Sequence, residues 1–269
     1  MAKLLMKFLG MSLLLVLFSV PGTAAAGGLF GPPQSLSREK GGLNTTVGFD
    51  YHEDKFEGNG TCVFRQNRVY SQVAYGGARH LWEVYGRIGI ADLEIEDGFR
   101  SRINTTTSSP DDFEENETPF GALGAKVFLP LGGAFGIGAF LQGSFFFGDF
   151  GDEVRGHWNG APYKAELNVR DLWEITSGIS VSATAARGII LYAGPFIHYS
   201  EARVTSSRHV SGIPLLEEDA TMKNKTEIGG YGGISVPLGR GFHLNAEGRY
   251  SERFSAGVAV TYTYQNGGL

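Results

Sequence analysis

From residue 43 the chain alternates apolar and polar side chains with a period of two. Leu43, Thr45, Val47, Phe49 and Tyr51 fall on one face, and Asn44, Thr46, Gly48, Asp50 and His52 on the other. Successive strand residues point to opposite sides of a sheet, so the pattern predicts a strand with two unlike faces. It recurs at about 66–76, 81–91, 119–129, 135–147, 168–182, 189–200, 227–237, 241–251 and 254–264, giving ten strands. In the third, Trp82, Val84, Gly86, Ile88 and Ile90 oppose Glu83, Tyr85, Arg87, Gly89 and Ala91. A count of eight follows if the 66–76 segment or the last hairpin does not form.

The connections alternate in length. Those at 77–80, 130–134, 183–188 and 238–240 are short and rich in turn formers, whereas 53–65, 92–118, 148–167 and 201–226 are long. Only the last hairpin, around Glu252 and Arg253, closes tightly on the long side. Long connections confined to one side, with an even strand number, predict an all-β fold: a transmembrane antiparallel up-and-down β-barrel with short periplasmic turns and long external loops. A sandwich has no such parity. With the first strand running outward, Tyr75, Trp82, Phe135, Phe242 and Tyr264 fall at the periplasmic ends of the apolar faces. Tyr51, Phe147, Tyr199, Tyr250 and Phe254 fall at the external ends, as two lipid-interface girdles require. Trp173 reads as nearer mid-strand, outside both girdles.

Ahead of the barrel, Lys3 and Lys7, the apolar run 13–20 and Ala24, Ala25 and Ala26 before Gly27 form the three parts of a secretory signal peptide over residues 1–26. This predicts export, a periplasmic lead over 27–42, and a barrel over 43–269 in the cell outer membrane. Glycine, at 40 of 269 residues, is about twice the ordinary share but lacks the collagen repeat. Beyond residue 20 no run approaches the roughly 18 apolar residues of a spanning helix. Without Lys3 and Lys7 the chain holds 21 basic and 28 acidic residues, which disfavours nucleic acid as a partner. The single Cys62 excludes an internal disulfide and a paired-cysteine metal site.

Segments such as WEVYGRIGIADLEIE, ILYAGPFIHYS and the closing GVAVTYTY resemble the outer-membrane β-barrel superfamily of Gram-negative bacteria, the broad OmpA-like or small-porin group. The resemblance covers 43–264. It implies the fold, the membrane and insertion by the outer-membrane assembly machinery, and no reaction. Such barrels often finish on an aromatic residue, whereas here Gln265 to Leu269 follow Tyr264.

On the inward parity, Glu83, Arg87, Lys126, Glu174, Glu247 and Arg249 supply three acids and three bases. Charges withdrawn from water must pair, and about ten strands enclose little more than side chains can fill. The expected lumen is therefore bridged by a charge network, with a narrow porin-like channel for small solutes as the alternative. The second external connection carries Asp92, Glu94, Glu96, Asp97, Asp111, Asp112, Glu114, Glu115 and Glu117 against Arg100 and Arg102. Such loops suit contact with lipopolysaccharide, surface polysaccharide, divalent cations or a protein partner, but the ordered spacing of a calcium loop is absent and no metal ligands are assigned. No cofactor and no catalytic residue is expected. One enzymatic alternative stands: His198 and Ser200, two apart on a strand with Glu201 beside them, are similar to the His-x-Ser element of outer-membrane lipid A deacylases, though no G-x-S-x-G elbow occurs. The resulting expectation is a structural or surface-interaction role.

Overall fold

The computed structural model of the protein describes residues 29–37, 41–57, 61–96, 98–99, 112–158, 160–224 and 227–264. The expected signal segment lies outside them, as do Asp97, Arg100, Arg102 and Asp111 of the acidic connection. The strands are β1 (Gly42–Glu57), β2 (Thr61–Gly76), β3 (Trp82–Ile95), β4 (Phe113–Gly132), β5 (Phe135–Phe146), β6 (Phe150–Trp158), β7 (Ala161–Thr184), β8 (Ile190–Val210), β9 (Ile213–Asn224), β10 (Glu227–Gly239), β11 (Phe242–Tyr250) and β12 (Phe254–Thr263).

Ten of these form a closed antiparallel ring, β1-β2-β3-β4-β5-β7-β8-β10-β11-β12, which returns to β1 through the register Asn44↔Thr263 to Tyr51↔Ala256. The other two are extensions of ring strands. β6 continues β5 along the far half of β7, and β9 lies ahead of β10 along the far half of β8. Ten strands and an antiparallel barrel are thus as expected, but the strands on the long side run further. The connections at 53–65, 148–167 and 201–226 are largely β-hairpins, and in 92–118 the described strands continue to Ile95 and resume at Phe113.

The reason is an inversion of polarity along single strands. Within the ring, outward side chains are apolar and exposed, including Val84, Ile88, Leu123, Ile137, Leu141, Ile197 and Val258. Tyr75, Trp82, Phe135, Phe242 and Tyr264 are exposed at the short-turn end, and Phe147, Tyr250 and Phe254 at the other. Beyond this band the outward positions become Glu53, Arg65, Asp92, Glu94, Asp149 and Arg170. Facing inward at the same level are Phe56, Phe64, Leu93, Ile95, Phe113, Phe150, Leu167, Val169, Val204 and Met222, a buried apolar core. The strands of the long hairpins, such as β1 to β4, β7 and β8, therefore cross lipid with their apolar side out and enter water with their apolar side in. Trp173 belongs to the upper girdle after all. β7 begins at Ala161, so Trp173 pairs with Phe145 and Glu201, and its ring lies 5.3 Å from Tyr199.

Glycine has a structural use here that composition alone does not reveal. Inward aromatic rings lie across glycines of neighbouring strands, and a Cβ at Gly124 or Gly233 would collide with the ring of Tyr85 or Tyr192. The glycines let large rings lie along the wall of a narrow barrel.

Leu123, 72% exposed and paired with Gly86 near the middle of the apolar band, tests the lipid-facing assignment. Leu123→Arg is expected to lower stability by about 2–4 kcal/mol in reversible urea unfolding in lipid vesicles. Glu114→Gln, above the band, should stay within about 0.5 kcal/mol of the parent.

Candidate functional site

The interior of the ring is filled in tiers, built from inward positions of every strand and from the chain ahead of β1. The lead expected over 27–42 is described over 29–37 and 41–42. Between Leu29 and Ser37 it lies inside the ring at the short-turn end, with Leu29, Phe30, Ser35 and Ser37 almost wholly buried. The Glu247 carboxylate accepts hydrogen bonds from the backbone N–H of Phe30 at 2.9 Å, from that of Gly31 at 3.0 Å and from the Tyr192 hydroxyl at 2.9 Å. Arg87 donates to the carbonyl of Leu29, Ser35 Oγ donates to Glu83 at 2.9 Å, and Thr263 Oγ1 donates to the carbonyl of Leu36 at 3.0 Å. Phe30 stacks on Phe140 at 4.0 Å and meets Tyr231 edge-on at 5.3 Å, and the Arg249 guanidinium lies 4.6 Å from its ring centre. The cavity left between segment and wall is about 30 Å³, room for one or two waters.

All six charged residues singled out from the sequence point into this interior and are buried, but they do not pair only with one another. Lys126 Nζ stands 3.5 Å from Glu83 Oε1. Arg87 donates to Gln72 Oε1 at 2.6 Å, and Glu247 is taken up by the N-terminal segment. Glu174 is held by a residue the sequence reading passed over. Arg68 grips it with two guanidinium nitrogens, Nη1 at 2.9 Å and Nη2 closer still. The signal for Arg68 was present, because it shares the inward parity of Tyr70 and Gln72 on β2.

Above Arg68 lies a second polar group, centred on Asp54 of β1. Its Oδ2 accepts the Ser200 hydroxyl at 2.5 Å and stands 3.3 Å from His198 Nε2, while Asn224 Nδ2 reaches its Oδ1 at 3.3 Å. His198 Nδ1 pairs with Thr176 Oγ1 at 2.9 Å. The geometry changes the reading of the His198–Ser200 pair. Both bind the same carboxylate from β8, Ser200 as a donor to Asp54 rather than to the imidazole, and Glu201 faces outward to Tyr199 and Lys223. In this arrangement the histidine does not serve as the base of that serine.

On the water-facing side of the hairpins the acids are partly neutralised. Arg65 bridges Glu53, Glu94 and Glu96 at 3.1, 2.7 and 2.9 Å, and Asn67 donates to Asp92. Hydrogen bonds from the Tyr199 hydroxyl and the Lys223 ammonium hold Glu201 below the usual carboxylate range. Glu153 and Glu166 hold the Lys164 ammonium above its ordinary range.

The closed ring, its apolar outer band and its polar interior define a transmembrane β-barrel of the outer-membrane type. Among solved structures, the chain is similar to the translocator domain of the autotransporter NalP from Neisseria meningitidis, at 12% identity and TM-score 0.45, over 83% of this chain and 88% of that one. It is also similar to the outer-membrane protease OmpT from Escherichia coli, at 9% identity and TM-score 0.44, over 87% and 100%. A third is the attachment invasion locus protein Ail of Yersinia pestis, at 10% identity and TM-score 0.32, over 83% and 97%. No protein-family model and no curated protein matches the sequence.

The Arg68–Glu174 pair is deeply buried in the polar tiers, with side chains 5% and 7% exposed. Removing one partner strands the other charge, so Arg68→Ala is expected to cost about 3–5 kcal/mol in urea unfolding. The double variant Arg68→Met with Glu174→Met should recover most of that loss.

Proposed function

We propose that this chain is a closed outer-membrane barrel whose work is done at its external hairpins, and not a conduit or an enzyme. The observation that carries this reading is the filling of the interior from both ends. Residues 29–37 are hydrogen-bonded across the short-turn end, and the apolar core from Phe56 to Met222 occupies the hairpin end. Between them lie buried charges, among them Arg68 bonded to Glu174 and Lys126 beside Glu83. A solute would have to displace both tiers and leave Glu247, Arg87 and Glu174 without partners, at several kcal/mol for each stranded charge.

What the barrel presents to the outside is then a rigid set of extended hairpins with an acidic, partly ion-paired outer surface. Its proposed partners are lipopolysaccharide, surface polysaccharide or another protein, with divalent cations bridging hairpin carboxylates to surface phosphates. The N-terminal signal peptide delivers the chain to the periplasm, and the outer-membrane assembly machinery inserts it.

Two measurements test this reading. The folded protein, verified by heat-modified gel mobility, is expected to give no discrete current steps in a planar bilayer. Discrete steps would establish the narrow-channel alternative. Replacing 96–112 by a short turn is expected to leave folding intact and to weaken magnesium-dependent binding to immobilised lipopolysaccharide. Unchanged binding would remove this hairpin from the interaction.

A further inference from the structure

The Asp54 cluster contains more ligand chemistry than its hydrogen bonds use. His52 from β1 and His198 from β8 both turn toward the Asp54 carboxylate, and one ligand atom from each of the three residues lies within 4.8 Å of the others. All three side chains are at least nine-tenths buried. His52 Nε2 has no hydrogen-bond partner, although it is buried and stands 3.9 Å from Asp54 Oδ2. An imidazole nitrogen without a partner, aimed at a carboxylate and a second imidazole, is a costly arrangement for a protein interior unless something binds there.

A count of charge points the same way. Among the described residues the barrel interior holds six buried carboxylates, Asp50, Asp54, Glu83, Glu174, Glu227 and Glu247. It holds four buried basic side chains, Arg68, Arg87, Lys126 and Arg249. Counted formally, with both histidines neutral and every other group ionised, this is an excess of two negative charges, which one divalent cation would cancel.

We propose that His52, Asp54 and His198 form a site for a divalent transition-metal ion of the zinc class, joining β1 to β8 across the interior. Two imidazole nitrogens and one carboxylate oxygen are the donor set such ions take, and magnesium or calcium would require more oxygen ligands than these residues offer. Bonds of about 2.0–2.1 Å in a tetrahedral site place ligand atoms roughly 3.3 Å apart. His198 Nε2 and Asp54 Oδ2 already have that spacing at 3.3 Å, and the His52 ring must close by roughly 1 Å to join them. The ion takes the place of a proton shared between His198 and Asp54.

The surrounding groups suit metal ligation. Binding at both Nε2 atoms leaves the ring proton on Nδ1. His198 then donates to Thr176 Oγ1 at 2.9 Å, and His52 donates to Ser255 Oγ at 3.3 Å. Ser200 and Asn224 orient the carboxylate from its other sides. One group must adjust: Arg249 Nη2 stands 3.5 Å from His52 Nδ1, cannot donate to it in this tautomer, and has to turn away. The site is enclosed by the apolar core above and the aromatic tier below, so the ion is taken up as the barrel folds and acts as a staple between strands that are not neighbours in the ring.

The test uses the full chain folded with and without zinc, freed of loose metal by chelation and gel filtration, and checked for folding by heat-modified mobility. Elemental analysis is expected to find about one zinc per folded chain. Cobalt taken up in its place should show the strong visible bands of a four- or five-coordinate nitrogen–oxygen site. The variant His52→Gln leaves Ser200, Asp54 and Asn224 bonded to one another. Together with His198→Gln, it is expected to cut retained metal at least tenfold. Folded parent protein that retains no zinc, or a folded double variant that retains as much as the parent, would overturn the site.

Discussion

The structure depends on one constraint, that no strand in lipid can leave its backbone N–H and C=O groups unpaired. The closure between β1 and β12 meets it, joining Asn44 to Thr263 at one end and Tyr51 to Ala256 at the other. A ten-stranded ring of this kind has an interior only a few side chains wide. Everything placed there is consequently out of bulk water, and a charge inside is costly unless a partner meets it. The choice of interior residues follows from this closure more than from any requirement for polarity as such.

Matching is achieved by three different devices. Guanidinium groups clamp carboxylates, as Arg68 does with Glu174. Backbone donors and acceptors brought in from the chain ahead of β1 meet two more, with Phe30 and Gly31 N–H on Glu247 and the Leu29 carbonyl on Arg87. Aromatic faces share the positive charge, since Arg87 lies 4.7 Å from the ring centre of Tyr70 and 5.0 Å from that of Tyr85. The N-terminal segment thus forms part of the interior's hydrogen bonding. Glu247 and Arg87 would be short of partners without it.

The ring was legible in the sequence because its signal is local: a period-two alternation of ten or so residues specifies a strand and its faces. Strand ends were less so, for a physical reason. At Glu53, Asp92 and Glu201 the outward face changes from apolar to charged, and this resembles the start of a loop although the backbone continues as a ladder with inner and outer polarity exchanged. Inward parity identified Glu83, Arg87, Lys126, Glu174, Glu247 and Arg249, but parity gives a face and not a partner. That Glu247 meets residue 30, or that Asp54 meets residues 198, 200 and 224, depends on the stagger and diameter of a closed barrel. No spacing along the chain encodes either contact.

The exchange of polarity also explains why the chain beyond the apolar band continues as sheet. A loop that left the membrane as irregular chain would have to solvate its own backbone and would keep little fixed shape. Here the ring continues into water as sheet, and Phe56, Phe64, Phe113 and Phe150 meet inside it as they would in a soluble β-protein. The strands are therefore stabilised by lipid on their outer face over one half and by a hydrophobic core on their inner face over the other. The switch falls at Asp54, His198 and Ser200, where neither lipid nor apolar packing supplies the cohesion. Polar groups have to hold the wall together at that level: His198 and Ser200 of β8 and Asn224 of β9 converge on the Asp54 carboxylate of β1, and Thr176 of β7 bonds His198 in turn.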